Sequence, residues 1–565
     1  MTDTTRDYDY LILGAGPGGL QMGYFLQQQG CRYVILERNE AVASFFRKLP
    51  RSRKLISFNK VHSIFDDPEI LLRWDWNSLL TDDYGFLFRN YSQRFYPHAD
   101  ELVAYLEGFA EAYQLNIQFG TSVEGVRRAE DGMFELRDSE GGCYRTRVLV
   151  VATGLSSAYR PDVPGLEDTD DYEDVPLHAD AFAGQRVLIV GKGNSSLEIA
   201  DVALESAAIV HVASPRSLVL AYNSRHPGHV RAEYAKLIDA YHLKTLNSLL
   251  DCSVLGIAKQ SDGTFVVTVA YTHAEGEVDE LVYDRVVRCT GFCLNTDFYD
   301  EACRPATLLD ERLPAITPYW ESVNVPGLFF AGALMQGRDF KRSSSAFIDG
   351  FRYNVRTLFR HLMSRYEDIP VPRETLPVDP ELLMQTVVER ASRTSALWAQ
   401  FGYLCDVFVV RDEQVEWYEE LPFQGLLEGE FKDEAHVYSL TFEWGKWNGD
   451  VMAIARHPVP DAAHRSVFLH PIVRRFAFGE LVSEHHLLED LFGVFSSTRE
   501  RGGVLSHSGE GIEDYHRSAH EQPLAAYFAD AFAHGPSSQS ERLNGVEVSV
   551  NVPSPPPLSR NEPSP

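Results

Sequence analysis

Short apolar runs alternate with amphipathic runs of helical periodicity through roughly the first 360 residues of the chain. Apolar runs of this length are typical of buried parallel strands, and the amphipathic runs between them are typical of crossover helices. Parallel strands that are joined by helices form doubly wound α/β sheets. The pattern therefore predicts an α/β fold for this part of the chain.

The pattern changes near Arg373. A long stretch with helical periodicity, "DPELLMQTVVERASRTSALWAQFGYLCDVFVV", precedes two strand-like runs, "VEWYEELP" and "HVYSLTFEWG". These runs predict a separate α+β C-terminal module over residues 366–535. Seven of the 29 prolines fall in residues 536–565, and this composition predicts a disordered tail.

Composition narrows the classes of partner. The chain of 565 residues is long enough for two to four domains and carries a formal charge of -29. That charge disfavours nucleic acid or an anionic membrane as the main partner. No apolar run approaches the length of a membrane span, and "MTDTTRDYDY" does not resemble a secretory signal. We therefore expect a soluble, cytoplasmic protein.

Cysteine usage agrees with a reducing compartment. The seven cysteines are odd in number and are spread from Cys31 to Cys405, which is not typical of a disulfide framework. No C-x-x-C pair occurs in the sequence. Cys289 and Cys293 are separated by three residues, and we expect them to lie in a buried connector rather than to form a redox pair. No metal site is predicted.

A first nucleotide turn lies in "YDYLILGAGPGGLQMGYFLQQQGCRYVILERNE". Gly14 permits the tight turn, Gly16 lets the backbone approach a pyrophosphate, and Gly19 lets the helix pack on the strand. Glu37 follows Gly19 by 18 residues, where a carboxylate can accept hydrogen bonds from ribose hydroxyls. The predicted cofactor-binding residues here are Gly14, Gly16, Pro17, Gly18, Gly19, Glu37 and Arg38.

A second nucleotide turn lies in "AGQRVLIVGKGNSSLEIADVALESAAIVHVASPRS", with Ser196 in place of the third glycine. The strand after it ends at Ser214 and Arg216 without a carboxylate. Because Arg can pair with a 2′-phosphate, NADPH is favoured over NADH. The alternative for Arg216 is a solvated surface charge. The predicted cofactor-binding residues are Gly191, Gly193, Asn194, Ser195, Ser196, Ser214 and Arg216.

Two further segments, "VLVVATGL" and "RVVRCTGF", predict paired connectors on either side of the second turn. "PGLFFAGAL" then predicts a strand that enters Gly332, followed by a helix. This order predicts an FAD-binding domain at 1–155 and 286–365, interrupted by an NADPH-binding domain at 156–285. The remaining predicted cofactor-binding residues are Val123, Ala152, Thr153, Gly154, Gly291 and Gly332.

The quoted segments resemble the flavin-containing monooxygenase-like superfamily. "SFFRKLPRSRKLISFNKVHS", "RWDWNSLL" and "FRNYSQRFYPHADELVAYLEGFA" are similar to the endoplasmic-reticulum-type FAD-dependent oxidoreductase domain-containing flavoproteins, over roughly Tyr8–Leu362. The F-x-G-x-x-x-H signature of the flavin-containing monooxygenases is absent from "VPGLEDTDDYEDVPLHADAFAG". The resemblance implies FAD and NADPH as cofactors. It also implies that Asn59 and Lys60 face the flavin edge.

Without a C-x-x-C dithiol, dioxygen is the simplest electron acceptor. The sequence predicts an NADPH- and FAD-dependent monooxygenase that oxygenates an amine, thioether or arene through a flavin hydroperoxide. Asn59 and Lys60 are the predicted catalytic residues, since the Asn59 amide could hydrogen-bond the flavin or its peroxide. The alternative for Asn59 is a loop residue that caps a turn.

Two other functions stay open: a reductase that passes electrons to an external disulfide or quinone, and a flavin-stabilised binding protein. The C-terminal module has no readable motif. Its role as an active-site cover, a homodimer contact or a substrate selector also stays open. The expected partners of the first hypothesis are a small-molecule substrate and dioxygen.

Several polar clusters have both a structural and a functional interpretation. A basic cluster at residues 47–54 would hold NADPH phosphates or a substrate carboxylate, or lie solvated in a loop. The run at residues 343–345 is expected to cap the following helix. His485 and His486 are expected on a helix surface, and adjacent helical residues point in different directions. The basic cluster consists of Arg47, Arg51, Arg53 and Lys54. The serine run consists of Ser343, Ser344 and Ser345.

Overall fold

The computed structural model describes residues 5–447, 449–456, 459–498 and 512–533. The predicted tail at 536–565 lies outside these residues, and its disorder stays a prediction. Within the described ranges, no helix combines the length and the apolar character that crossing a membrane requires. The predicted α/β fold is confirmed, with two Rossmann-like sheets and a third, antiparallel sheet.

The first sheet surrounds the first nucleotide turn. Its central strand, β1, pairs in parallel with β2 on one side and β6 on the other. Strands β4 and β5 extend the β6 edge in antiparallel fashion. The elements of this part are β1 (Arg6–Leu13), α1 (Pro17–Gln29), β2 (Tyr33–Leu36), α2 (Ser44–Lys48), α3 (Pro68–Leu71), α4 (Ala99–Ala112), β3 (Ile117–Gln118), β4 (Val123–Arg128), β5 (Phe134–Asp138) and β6 (Cys143–Val151).

The second sheet surrounds the second nucleotide turn, in the order β13-β12-β11-β10-β9-β14-β8. Strands β7 and β15 pair with each other, so the two predicted connectors lie side by side. The elements are β7 (Ser157–Ala158), β8 (Asp170–Asp171), β9 (Arg186–Val190), α5 (Asn194–Ala203), β10 (Ile209–Ser214), α6 (Ala221–Ser224), α7 (Lys236–His242), β11 (Ser248–Lys259), β12 (Phe265–Tyr271), β13 (Val278–Tyr283), β14 (Arg285–Arg288) and β15 (Phe292–Cys293).

The chain then returns to the first sheet. Strand β18 pairs in parallel with β6, with Leu328 opposite Leu149. Helix α8 packs on α1, where Phe359 stacks on Phe25 with ring centroids 5.4 Å apart. The first sheet is therefore built from two separate pieces of chain. The returning elements are β16 (Thr307–Leu308), β17 (Leu313–Pro314), β18 (Leu328–Phe330) and α8 (Ile348–Tyr366).

The C-terminal module is an antiparallel sheet flanked by helices, in the order β19-β21-β20-β22-β23-β24. Both predicted strand-like runs are strands. The elements are β19 (Glu374–Pro377), α9 (Pro380–Arg393), α10 (Ala396–Ala399), β20 (Leu404–Arg411), β21 (Gln414–Pro422), α11 (Phe423–Leu427), β22 (Val437–Trp444), β23 (Leu469–Ala477), β24 (Glu480–His486), α12 (Ile512–His516) and α13 (Gln522–Ala533).

Two predictions within the module were wrong. The predicted long helical stretch is helical in α9 and in the short α10, and its last part, from Leu404, forms β20. Six consecutive residues of β20 are buried, so no alternation of polar and apolar positions marks it as a strand. His485 and His486 lie on strand β24 and are half-buried rather than on a helix surface.

Two buried arginines join the module and the returning helix to the loop that follows α3. Arg73 donates to the carbonyl oxygens of Thr394, Gly493 and Ala391 at 2.9–3.0 Å. Arg352 of α8 donates to three carbonyl oxygens of the same loop region, between residues 72 and 78. Because each guanidinium satisfies several carbonyls at once, the loop, α8 and the module form one packed unit.

Candidate functional site

The glycines of the first turn are required by close backbone contacts. Gly14 has φ +99°, a conformation that L side chains rarely adopt. A Cβ on Gly19 would lie 2.0 Å from the carbonyl oxygen of Gly14. A Cβ on Gly18 would lie 2.5 Å from the Cα of Gly332. The fold therefore brings the predicted turn and the predicted Gly332 segment into direct contact.

Gly16 has the opposite surroundings. A Cβ built on it meets nothing within 4 Å. Gly16 also caps α1 without a side-chain hydrogen bond, and Pro17 is the first helical residue. Unpaired N–H groups and the positive end of the α1 dipole therefore face open space. This cradle fits a pyrophosphate group.

Glu37 is buried at the end of β2 and faces the first turn. Its carboxylate accepts hydrogen bonds from the Ala15 N–H at 2.8 Å and from the backbone and side-chain nitrogens of Asn39 at 3.0 and 2.6 Å. The Thr121 N–H donates to the Glu37 carbonyl oxygen at 2.9 Å, which places Val123 nearby. Arg38 is exposed. The predicted ribose contact of Glu37 stays a prediction.

The first connector runs past the same turn. The Ala152 N–H donates to the Leu13 carbonyl oxygen at 2.8 Å. The buried Thr153 hydroxyl has no hydrogen-bond partner within the described residues. Gly154 has φ +64° and open space around its Cβ position. An unsatisfied buried hydroxyl beside an open glycine fits a polar ligand, such as a bound dinucleotide.

The second turn repeats this arrangement. Gly191 has φ +120°, and a Cβ on it would lie 2.2 Å from the Cys289 carbonyl oxygen. Gly193 has open space around its Cβ position, like Gly16 in the first turn. Gly291 has φ +89° and is equally open. Ser196 is fully buried and so fills the place where a small residue was expected. Two open glycines beside the N-terminus of α5 fit a second phosphate-bearing ligand.

Asn194 and Ser195, at the start of α5, have protein partners. The Asn194 side chain donates to the His229 carbonyl oxygen at 3.1 Å and accepts from the Arg231 N–H at 3.0 Å. Ser195 lines a narrow cleft with Tyr172. The Asn194 side chain therefore holds the loop at 229–231 against α5. A cofactor contact from its backbone stays a prediction.

Ser214 is the last residue of β10, and Arg216 follows the strand. The Ser214 hydroxyl donates to the Arg216 carbonyl oxygen at 3.0 Å, and the Arg216 side chain is exposed. Sequence reasoning missed Asp251, which lies opposite Ser214 in the strand register and pairs with Lys192. No signal near Arg216 in the sequence could have found it, because β11 is separated from β10 by α6 and α7.

Asn59 lies in a buried loop between β2 and α4. Its amide nitrogen donates to the carbonyl oxygens of Ser92 at 2.9 Å and Arg94 at 3.1 Å. Both amide hydrogens are thus used in holding a neighbouring loop, which favours the structural alternative for Asn59. Lys60 is exposed. Their catalytic roles stay predictions.

The basic cluster at residues 47–54 is engaged within the chain. Arg47 pairs with Glu107, Arg53 with Asp100 and Lys54 with Glu233. Arg51 donates to the carbonyl oxygens of Tyr172 and Val175 at 2.7 and 2.9 Å. Arg51 and Lys54 therefore join the two nucleotide-turn regions, and Arg47 and Arg53 pair with α4 within the first region. The four cations are engaged by protein groups rather than forming an open phosphate site.

The expected serine cap of α8 was wrong. The N-cap residue is Phe347, which makes no side-chain cap. The Ser343 hydroxyl donates to the Gln400 side chain at 2.8 Å, and the Ser345 hydroxyl accepts from Asn354 at 2.9 Å. All three serines are buried, and Ser343 and Ser345 contact Gln400 of the C-terminal module instead of capping the helix end.

Two buried carboxyl groups near these serines were not predicted. Burial raises the pKa of Asp339 to about 7, and the neighbouring Ser345, which acts to lower the pKa, offsets only part of this rise. Burial likewise raises the pKa of Asp349 to about 7, with Arg352 nearby. Neither Asp339 oxygen has a hydrogen bond of normal geometry within the described residues. Both groups hold their protons more tightly than an exposed Asp.

A cavity of about 440 Å³ lies between the first sheet's helices and the module. Aromatic and charged side chains line it. The charged groups pair with one another, and Arg390 contacts Asp406 and Glu420 at 2.7 and 3.3 Å. Among the lining residues are Glu69, Tyr84, Arg356, Arg390, Trp417 and Glu420.

The chain is similar to known oxidoreductases over most of its length. Residues 11–332 match the family model described as pyridine nucleotide-disulphide oxidoreductase. The chain is 36% identical over 503 residues to FAD-dependent oxidoreductase domain-containing protein 2 of Mus musculus, covering 82% of this chain and 75% of the relative. It is 32% identical over 521 residues to the Danio rerio protein of that name, covering 83% and 76%.

A flavin-containing monooxygenase from Stenotrophomonas maltophilia is 20% identical with a TM-score of 0.47, covering 64% of this chain and 99% of that protein.

Proposed function

Because the chain belongs to the pyridine nucleotide-disulphide oxidoreductase family, we propose that this flavoprotein oxidoreductase is a monooxygenase that uses FAD and NADPH. The first turn holds FAD and the second holds NADPH. NADPH supplies two electrons as a hydride, and one proton is taken up. One oxygen atom of dioxygen enters a small-molecule substrate and the other leaves as water. An amine, a thioether or an arene is the substrate class.

The chain's residues divide the binding work between the two turns. The Gly14–Gly19 backbone and the N-terminus of α1 would hold the FAD pyrophosphate, and Glu37 would accept from the ribose. The Gly191–Ser196 turn and Arg216 would hold NADPH. When bound, the flavin supplies the redox chemistry, and the chain supplies orientation and exclusion of water.

The observation that carries the choice of acceptor is the burial of Cys289. Its carbonyl oxygen lies against Gly191, and burial raises the pKa of its thiol well above the ordinary value. Burial also raises the pKa of the half-buried Cys293 thiol. Because the thiolate is the reactive form, neither cysteine is suited to relay electrons. This supports dioxygen as the acceptor rather than a dithiol of this chain.

Localisation in the cytoplasm belongs to the same proposal. All seven cysteines lie within the described residues, and no disulfide joins any two of them. This is the usual state of cysteines in a reducing compartment and supports that placement.

Anaerobic reduction followed by oxygen tests the proposal. The purified, flavin-loaded protein is reduced with NADPH without oxygen and then mixed with oxygenated buffer in a stopped-flow spectrometer. A transient absorbance distinct from oxidised and reduced flavin, shortened by a substrate, is the expected result. Fast reduction with slow, featureless reoxidation would indicate a reductase with an external acceptor. Absence of reduction would indicate a binding protein.

A cysteine variant serves as the matched control. Cys293→Ser removes the more accessible thiol of the pair without changing either turn. We expect the same rate of NADPH-dependent flavin reduction and the same reaction with oxygen as in the parent protein. A loss of reoxidation in this variant would overturn the choice of acceptor.

A further inference from the structure

Three cationic side chains lie at the junction between the second sheet and the returning segment. They are Arg216 after β10, Arg312 before β17 and Lys341 before α8. None of them belongs to an ion pair within the part of the chain that the structure describes. Arg312 is half-buried, and the side chains of Arg216 and Lys341 reach the surface.

Hydrogen bonds connect the loop at 226–231 both to the start of α5 and to the segment that contains Lys341. The Asn194 side chain, at the first position of α5, donates to the His229 carbonyl oxygen at 3.1 Å. His226 precedes His229 by three residues, and its ring nitrogen Nε2 lies 2.9 Å from the Ser343 carbonyl oxygen. Lys341 is two residues from Ser343 and has φ +57°, an uncommon conformation for lysine. The loop at 226–231 therefore places the Lys341 segment beside the second turn.

Arg312 is fixed on the other side of this turn. Its guanidinium carbon lies 3.7 Å from the centroid of the Tyr159 ring, and its Nη2 atom donates to the Thr290 carbonyl oxygen at 3.4 Å. Thr290 follows Cys289, whose carbonyl oxygen contacts Gly191. The ring contact orients the guanidinium without neutralising its charge.

The charges of these groups repel one another. Burial lowers the pKa of Lys341, and the charges of Arg312 and Arg216 lower it further. Burial lowers the pKa of His226 to about 4, and the charges of His229 and Lys341 also act in that direction. Asp251, which lies opposite Ser214 in the strand register, is already paired with Lys192. A bound anion would relieve this repulsion.

We propose that Arg312 and Lys341 join Arg216 to form a binding site for the 2′-phosphate of NADPH. The site spans two regions of the chain, because Arg216 belongs to the second sheet and the other two belong to the returning segment. A phosphate dianion accepts charge-assisted hydrogen bonds from all three side chains. The inference rests on the proposed function insofar as NADPH is the ligand.

Binding of nucleotide fragments to the oxidised, full-length flavoprotein tests the site without turnover. Calorimetry measures the Kd values of NADP⁺, NAD⁺, 2′,5′-ADP and 5′-AMP for the parent, Arg312→Met and Lys341→Met. We expect each variant to bind NADP⁺ and 2′,5′-ADP about 10- to 100-fold more weakly. Binding of NAD⁺ and 5′-AMP, which lack the 2′-phosphate, should change less than about twofold.

Arg342→Met is the matched control, because Arg342 adjoins Lys341, is exposed and has no assigned contact with the dinucleotide. It should bind NADP⁺ like the parent. Flavin absorbance per protein checks that each variant is folded. Equal losses for NADP⁺ and NAD⁺, or no loss, would overturn the 2′-phosphate site while leaving the oxygen reaction to be judged separately. A parent protein that does not bind NADP⁺ would overturn both proposals.

Discussion

Gly16 and Gly19 are three residues apart in the first turn, and the space around their Cβ positions differs. Gly19 is confined by the backbone of Gly14, whereas Gly16 faces open space. The structural need for a glycine is therefore complete at Gly19 before any ligand binds. At Gly16 the need arises only when a ligand occupies the cradle.

This difference predicts distinct outcomes for two alanine variants. Gly19→Ala places a Cβ 2.0 Å from a backbone oxygen, so the turn must move, and we expect a loss of several kcal/mol in unfolding free energy. Gly16→Ala should leave the flavin-free chain as stable as the parent but weaken FAD binding at least about tenfold. Denaturant unfolding of apoprotein and flavin titration measure the two effects.

Gly125→Ala is a suitable control, because its Cβ would contact only the Arg137 side chain, at 4.0 Å, and its backbone is not in the left-handed region. It should change neither quantity. If Gly16→Ala bound FAD like the parent, the first turn would not be the pyrophosphate site.

Asp339 predicts a pH dependence of stability. Burial raises the pKa of the folded-state carboxyl to about 7 from 3.8 in the unfolded chain. Between these pH values the folded chain binds the proton and the unfolded chain releases it, so stability falls as pH rises from about 4 to about 7. The loss amounts to at most about 4 kcal/mol. Asp339→Asn should therefore flatten the curve of unfolding free energy against pH in the flavin-free protein.

Asp433→Asn, at an exposed position, provides the comparison and should leave the curve unchanged. Asp349 contributes a shift in the same direction, so some slope should persist in Asp339→Asn. A curve identical to that of the parent would show that Asp339 is not protonated in the folded chain.

At the residue scale, the sequence predicted what depends on local geometry. Gly14, Gly19 and Gly191 were identified because a tight strand-to-helix turn demands them whatever surrounds it. Asp251 and Asp339 were not identified. Asp251 lies opposite Ser214 because β11 pairs with β10. Asp339 differs from most other aspartates in its burial, and that burial depends on segments far away in the chain.

At the scale of elements, Arg390 connects α9 to three others. It pairs with Asp406 of β20 at 2.7 Å, Glu420 of β21 at 3.3 Å and Glu69 of α3 at 3.2 Å. Burial alone would raise the pKa of Glu420, but Arg356, Arg360 and Arg390 together lower it to about 2. The arginine thus holds an ionised carboxylate in the interior.

Removal of Arg390 should lower the free energy of unfolding. Arg390→Met leaves Asp406 and Glu420 buried with fewer partners, and we expect a loss of about 3–5 kcal/mol in unfolding free energy, measured by denaturant titration. Lys236→Met, which breaks an exposed pair with Asp201, should cost less than about 1 kcal/mol. Equal effects of the two variants would contradict a stabilising role for the buried network.

Element boundaries were predictable where polar and apolar residues alternate. The strands "VEWYEELP" and "HVYSLTFEWG" were correct for this reason. The segment of β20 was misassigned because six consecutive residues of it are buried, and its apolar residues, interrupted by Asp406, do not alternate with polar ones. Such a run fits a helix or a strand equally well. Tertiary packing, which the sequence pattern does not contain, decides between them.

At the scale of the whole molecule, the α/β architecture and the interruption of the first sheet followed from the order of motifs. The attachment of the module did not. It depends on Arg73, which contacts Thr394 across 321 residues of sequence, and on the buried Ser343, which contacts Gln400 across 57 residues. Such contacts leave no local trace in the pattern of polar and apolar positions.

The two-piece construction of the first sheet bears on how the protein is made. A ribosome synthesises the first turn early, but β18 lies about 180 residues beyond its partner β6, and α8 follows later still. At roughly 5–20 residues per second, α8 emerges tens of seconds after β6. During that interval the nascent chain exposes the surfaces of β6 and α1 that β18 and α8 later cover. Completion of the first sheet is therefore a late event in biogenesis, and chaperones have time to engage the unfinished sheet.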